Sequence, residues 1–188
     1  RVTAHPSVEE IEAQSGAVPA VTIARRIPIY ANAGSLREVA RAREHGAEGI
    51  GLLRTEFLFQ DRQEPPTEGE QADLYTEALR LMDGRPVIIR TLDIGADKPV
   101  PFLPLPSEPN PQLGVRGIRL CLQQRDLFTV QLRALLRASV NGQLKIMLPM
   151  VATVEEVRQT REILVALATE MGCPAPPLGA MIEVPMAA

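Results

Sequence analysis

Tryptophan is absent from these 188 residues, and tyrosine and phenylalanine together occur only six times. Binding by stacking bases or sugar rings on aromatic side chains is therefore not expected as the main mode of recognition. Cysteine is equally scarce: Cys121 and Cys173 stand far apart and form no CxxC pair. That spacing argues against a disulfide framework or a zinc site, and makes a reducing cytoplasm the default expectation. Neither histidine, His5 or His45, has a second ligand at metal spacing. No run of about 18 apolar residues suggests a membrane span, and the chain does not open on a basic-then-apolar leader. With a formal net charge of −3, a general affinity for nucleic acid or an anionic membrane is not expected. Any anion site must be local, built from a few placed arginines.

What is present is a repeated pattern. The 45% hydrophobic content is enough for one packed domain, and it is distributed as short apolar runs followed by amphipathic stretches. The first run is residues 27–31 (IPIYA). Ser35 caps the helix after it, with Glu38 at the capping-box position, and Gly46 stops it. Residues 48–53 (EGIGLL) form the second run, followed by a helix over about 68–82 from Thr67 to a stop at Gly84. The third run, 86–90 (PVIIR), leads into a loop with prolines at 99, 101, 104, 106, 109 and 111. A weaker fourth run is 117–120 (GIRL), before a helix over about 126–139. The fifth is 144–148 (LKIML), whose helix over about 154–171 starts from Thr153. The sixth is 178–183 (LGAMIE). Upstream, residues 6–15 read as a short acidic helix, and residues 1–26 as a connector.

Strands alternating with helices imply an α/β fold on a parallel sheet. A doubly wound sheet carries a glycine-rich phosphate loop after its first strand; here that turn is Asn32-Ala-Gly-Ser35, without GxGxxG. A TIM (β/α)8 barrel instead sets functional side chains at the C-terminal ends of several strands. Arg54, Arg90 and Glu183 each close an apolar run, so the expected fold is an incomplete barrel over residues 27–188, about the first six βα units.

Arginine at a strand end is costly unless it meets an anion, and its fork suits phosphate or carboxylate oxygens. For Arg54 the alternatives are a ligand or an ion pair with a nearby acid such as Glu56. Arg90 repeats the design one strand later, and the two together point to an anionic substrate. Arg116 and Arg119, three apart in an expected strand, would face opposite sides. Glu183 is read either as a Mg²⁺ ligand or as a salt-bridge partner of an arginine. Asp93, Asp97 and Lys98 are charged loop residues at a spacing that could hold a cation or a phosphate, but solvation is the favoured expectation. Cys121 and Cys173 are each read as a core or surface thiol.

The motifs GAEGIGLLRTEFLF (46–59), IIRTLDIGADKP (88–99), NPQLGVRGIRL (110–120), QLRALLRAS (131–139), KIMLPMV (145–151) and GAMIEVP (179–185) occur in order. Together they resemble phosphoenolpyruvate-utilising enzymes, above all Enzyme I of the sugar phosphotransferase system and the multiphosphoryl transfer proteins. The resemblance runs from about Ile27 to the last residue. It implies a barrel that binds phosphoenolpyruvate and Mg²⁺ at its mouth. Arg54, Arg90 and Arg116 would contact the substrate, Lys98 and Asn110 would lie near it, and Glu183 would be one Mg²⁺ ligand. The phosphoryl group would pass to a histidine on a separate domain and on to a histidine phosphocarrier protein, in an enzyme that forms homodimers. No catalytic residue is expected within these 188 residues, because the phosphohistidine and the proton-donating cysteine of the family match no position here. A pyruvate phosphate dikinase or phosphoenolpyruvate synthase barrel, and a non-catalytic dimerisation module, are the alternatives.

Overall fold

A computed structural model describes residues 26–95, 100–104 and 108–188. The acidic helix expected near residues 6–15 and the charged loop residues Asp97 and Lys98 lie outside the described residues. Five parallel strands form one sheet in the order β1-β2-β3-β4-β5: Tyr30–Ala33, Gly49–Leu53, Val87–Arg90, Leu144–Leu148 and Leu178–Ala180. Between them lie α1 (Leu36–Glu44), α2 (Glu68–Met82), α3 (Gly117–Gln123), α4 (Arg125–Ser139) and α5 (Val154–Glu170). Short 3-10 turns cover Glu56–Leu58 and Pro185–Ala187.

β2, β3 and β4 fall within one residue of their expected starts. β1 begins later than residue 27, at Tyr30. Pro28 has no N–H to give to a ladder, and regular pairing starts with Tyr30 opposite Gly49. β5 stops at Ala180, so Glu183 lies beyond the strand.

The expected strand at 117–120 is corrected: these residues open helix α3. β3 pairs directly with β4, Val87 opposite Leu144 through Arg90 opposite Met147, so no slot between them is open to another strand. Ile118 and Cys121, one helical turn apart, are both buried, which is helical and not strand periodicity. Arg116 and Arg119 are therefore not on opposite faces of a strand. Arg116 is the residue before α3, and Arg119 lies inside it, donating to the Leu113 carbonyl at 3.0 Å.

The helices pack against one another in chain order, α1 on α2, α2 on α4 and α4 on α5, while α2, α4 and α5 also touch β3, β4 and β5. Val87, Ile89, Leu144, Ile146 and Leu148 meet this layer and are buried. The alternate residues Ile88, Lys145 and Met147 are only partly covered or exposed, as the period-two geometry of a strand dictates. Tyr75, Leu79, Met82, Phe128, Leu132 and Leu135 fill the space between α2, α4 and the sheet. Burial of each such side chain contributes about 1.5–3 kcal/mol relative to exposure.

Thr67 and Thr153 cap their helices as expected, and each forms a full capping box, with Glu70 and Glu156 respectively. At α1 the Ser35 hydroxyl accepts from the Glu38 N–H, but the Glu38 carboxylate reaches one residue further back, to the Gly34 N–H at 2.7 Å. Glu70 accepts from the Thr67 N–H at 2.7 Å, from the Thr67 hydroxyl at 2.9 Å and from Arg62 at 2.9 Å. These bonds, the Thr67 backbone first, hold its carboxyl at about 2, below the ordinary 4.5. A depressed acid contributes stability that is complete above its ordinary value and disappears as pH falls towards the folded value. The Glu70→Gln variant should thus be less stable than the parent at neutral pH and equal to it in strong acid. Urea midpoints measured from neutral pH down to about pH 2 check this; parallel curves for the two proteins would refute it.

Candidate functional site

Because the strands are parallel, all five deliver their C-terminal ends to one rim. Leu53 is opposite Ala33 and Ile89, so the residues that follow, Arg54 and Arg90, stand at adjacent strand ends. The Arg54 N–H still bonds to the Ala33 carbonyl at 2.9 Å. Its side chain is exposed and makes no ion pair or hydrogen bond among the described residues. The expected alternative of a buried Arg54–Glu56 pair is therefore corrected. The guanidinium lies across Gly34, where an added Cβ would come within 2.7 Å of Nη2. A side chain at position 34 would displace it.

Glu56 pairs instead with Arg90. The 3-10 turn Glu56–Leu58 aims its carboxylate back at β3, where Arg90 Nη2 donates to Oε1. Arg90 Nη1 lies 3.3 Å from Asp93 Oδ2. Asp93 also accepts from Arg116 Nη2, at 3.0 Å to Oδ1 and 3.1 Å to Oδ2. Arg116 completes its contacts by donating to Gln112 Oε1. The result is an alternating row, Glu56–Arg90–Asp93–Arg116, with every member no more than 9% exposed. Asp93, expected as a solvated loop residue, is one of its two buried acids.

This row is charge-balanced, as buried ions must be. Arg54, next to it, is not. Two buried polar atoms at the same strand end, Arg90 Nε and Thr91 Oγ1, have no hydrogen-bond partner among the described residues. Among the described residues the rim thus combines one uncompensated cation with donors left over from a neutralised network, an arrangement suited to an anion with several oxygens.

Glu183 is exposed. Its Oε1 accepts from the Met150 N–H at 2.7 Å, which ties the residues after β5 to those after β4. Met150 adopts a positive φ of 55° to present that N–H. No group of three or more His, Cys, Asp or Glu able to hold a metal ion occurs among the described residues. Glu183 fits a hard cation as a single carboxylate, with the remaining ligands supplied by substrate oxygens or water. Asn110 is exposed in the loop before α3, where its carbonyl accepts from the Leu113 N–H at 3.0 Å. Its side chain makes no hydrogen bond to the rim residues.

Behind the rim lies a polar cluster that the sequence reading missed. Gln71, Tyr75 and Gln131 are fully or almost fully buried and hydrogen-bonded to one another and to Thr55. Burial is the main cause that pushes the Tyr75 hydroxyl well above its ordinary value, with the Glu56 charge acting in the same direction; it stays a neutral donor. The signal available in the sequence is Gln131 itself, adjacent to the apolar stripe of Phe128, Leu132 and Leu135 on α4. Cys121 is also buried there, with Sγ 3.5 Å from the Leu92 carbonyl. Burial first, and Asp93 second, push its thiol up to about 12, so it is no nucleophile near neutral pH.

Over residues 9–188 the chain matches the family described as PEP-utilising enzyme, PEP-binding domain. It is 48% identical over 179 residues to the multiphosphoryl transfer protein of Rhodobacter capsulatus, a match covering 95% of this chain and 22% of the relative. Identity to the multiphosphoryl transfer protein of Xanthomonas campestris pv. campestris is 50% over 184 residues, 97% of this chain and 22% of the relative. The phosphoenolpyruvate-protein phosphotransferase of Priestia megaterium is 56% identical over 138 residues, 73% of this chain and 24% of that protein. The chain therefore spans less than a quarter of the length of these relatives.

Proposed function

Since the chain belongs to the PEP-utilising enzyme family, through its PEP-binding domain, we propose that it forms the phosphoenolpyruvate-binding portion of a phosphoenolpyruvate–protein phosphotransferase. The observation that carries this reading is the rim itself: an exposed, unpaired Arg54 beside Arg90, whose own charge is already balanced from behind. Phosphoenolpyruvate offers a phosphate and a carboxylate to such a rim. Arg54 and Arg90 are assigned to its oxygens, with Arg116 fixing Asp93 beneath them and Asn110 on the adjoining loop; Lys98, outside the described residues, is assigned to the substrate on the family resemblance alone.

In this reading the side chains act by placement and charge neutralisation, the main demands of phosphoryl transfer. The arginine forks hold the phosphate and carboxylate while the enolate leaves, and the phosphoryl group goes to a histidine of the enzyme and on to a phosphocarrier protein. Glu183, through the oxygen not held by the Met150 N–H, would be a ligand of Mg²⁺. When bound, Mg²⁺ would balance charge on the substrate oxygens.

The fold assigned to this function is the first part of a TIM (β/α)8 barrel over residues 27–188, with residues 1–26 as a connector to a phosphohistidine domain. Sequential strand order supports it, since a doubly wound sheet reverses direction after its first strands. A cytoplasmic, homodimeric enzyme completes the proposal. A purely scaffolding module would leave the free Arg54 and the buried charge row without a purpose.

Calorimetric titration of phosphoenolpyruvate, with and without Mg²⁺, tests the reading on this chain and on a polypeptide extended to the length of its relatives. Mg²⁺-assisted binding is expected. The Gly34→Ala variant should bind about tenfold more weakly at nearly unchanged stability, because the atom it strikes is the far end of a flexible side chain. Absence of binding by both folded polypeptides would remove the proposal.

A further inference from the structure

The buried amide of Gln131 joins the two strand ends that carry the rim arginines. Gln131 sits on α4, in the outer helical layer, and is 1% exposed. Its Oε1 accepts from the Leu92 N–H at 2.9 Å, and its Nε2 donates to the Tyr75 hydroxyl at 3.1 Å and to Thr55 Oγ1 at 3.4 Å. Thr55 Oγ1 in turn donates to the Arg90 carbonyl at 3.0 Å. Thr55 follows Arg54 directly and precedes Glu56, the counterion of Arg90. Leu92 follows Arg90 by two residues. One side chain thus closes a ring of hydrogen bonds through both segments.

Hydrogen-bond chemistry fixes the direction of every bond in the ring. A backbone N–H can only donate, so Leu92 requires the amide oxygen of Gln131, and the NH₂ group must face Tyr75 and Thr55. The Tyr75 hydroxyl then donates to Gln71 Oε1 at 3.2 Å, and Gln71 Nε2 donates to the Pro66 carbonyl at 3.0 Å. No shorter or charged side chain at position 131 supplies one acceptor and two donors over this span. The ladder itself does not hold the segment after β3, since its last bond is the Thr91 N–H to the Met147 carbonyl at 2.9 Å.

We infer that Gln131 is a positioning residue for the anion site: through Thr55 and Leu92 it fixes the spacing and direction of Arg54 and Arg90. This rests on the phosphoenolpyruvate-binding reading for its ligand, and on the ring of bonds for its geometry. The forks at the rim must match two anionic groups at a set separation, and a precise site needs its backbone supports held.

The test uses the full chain with four variants and two readouts. Gln131→Leu and Thr55→Val break the ring without leaving a cavity, Thr55→Ser keeps the hydroxyl, and Leu135→Ala removes core packing on the same helix. The expected result is phosphoenolpyruvate affinity lower by about tenfold or more in Gln131→Leu and Thr55→Val. Thr55→Ser should retain the parental affinity, and Leu135→Ala should lower stability while leaving affinity intact. The second readout is the side-chain Nε–H nuclear magnetic resonance of Arg90, which should shift in Gln131→Leu and not in Leu135→Ala. Unchanged affinity in Gln131→Leu, or an equal loss in Leu135→Ala, would overturn the inference. If the unaltered chain binds no phosphoenolpyruvate, the functional reading is what suffers; an Arg90 resonance unmoved by Gln131→Leu would then overturn the positioning role on its own.

Discussion

The Arg90→Met variant is expected to lose phosphoenolpyruvate binding and about 3–5 kcal/mol of folding stability together. Methionine keeps much of the apolar stem of arginine without its guanidinium, so little apolar packing is lost. What is lost is the cation between two buried carboxylates. Glu56 and Asp93 are 5% and 3% exposed, and among the described residues Glu56 has no other cation, whereas Asp93 retains Arg116. The penalty is therefore concentrated on Glu56. Adding Glu56→Gln removes that uncompensated charge, so the double variant should regain a large part of the lost stability, on the order of 1–3 kcal/mol of coupling between the two sites. It should regain none of the binding, because the fork that meets the substrate is still absent. Urea denaturation and a phosphoenolpyruvate titration on the two single variants and the double variant separate the effects. Binding recovered along with stability would mean that Arg90 serves only as the counterion of Glu56, and Arg54 would have to carry the site alone.

That separation could not have been drawn from the sequence. Strand ends were legible: EGIGLLR and PVIIR each place an arginine directly after an apolar run, and the structure sets Arg54 and Arg90 at adjacent strand ends. Helix starts were legible for the same local reason, since Thr67 and Thr153 act as caps on the turn that directly follows them. Partner choice was not. Nearness along the chain suggested Arg54 with Glu56, but a single 3-10 turn sends the carboxylate across to the next strand. Residues 117–120 failed for a related reason. The segment is apolar enough for either state, and the direct pairing of β3 with β4, a contact between residues more than 50 apart in sequence, decided for helix. Gln131 escaped notice because a glutamine among leucines on a helix reads as a surface position until its three partners, from three other segments of the chain, are in view.

The remaining large effect lies at Gly95, where the loop after β3 turns past the segment leading to Arg116. Its φ is +110°, and an added Cβ would lie 2.8 Å from the Val115 carbonyl oxygen and 2.9 Å from Arg116 Cβ. Both obstacles are backbone or directly attached to it, so neither can swing aside. Gly95→Ala should therefore cost about 2–4 kcal/mol, summing a left-handed conformation with overpacking. The strain falls on Arg116, whose Nη2 is bound to both oxygens of Asp93, and Asp93 in turn supports Arg90. Phosphoenolpyruvate affinity should thus fall as well, although Gly95 has no side chain to offer a substrate. Gly84 supplies the comparison: its φ is +78°, but an added Cβ there meets nothing within 4 Å. Gly84→Ala should lose only the conformational part, about 1 kcal/mol, and leave affinity unchanged. Urea denaturation and titration of both variants decide the matter. Equal losses at the two positions would mean that the Val115–Arg116 segment yields freely, and that the Arg116–Asp93 pair is held by its own charges and not by the backbone packed against Gly95.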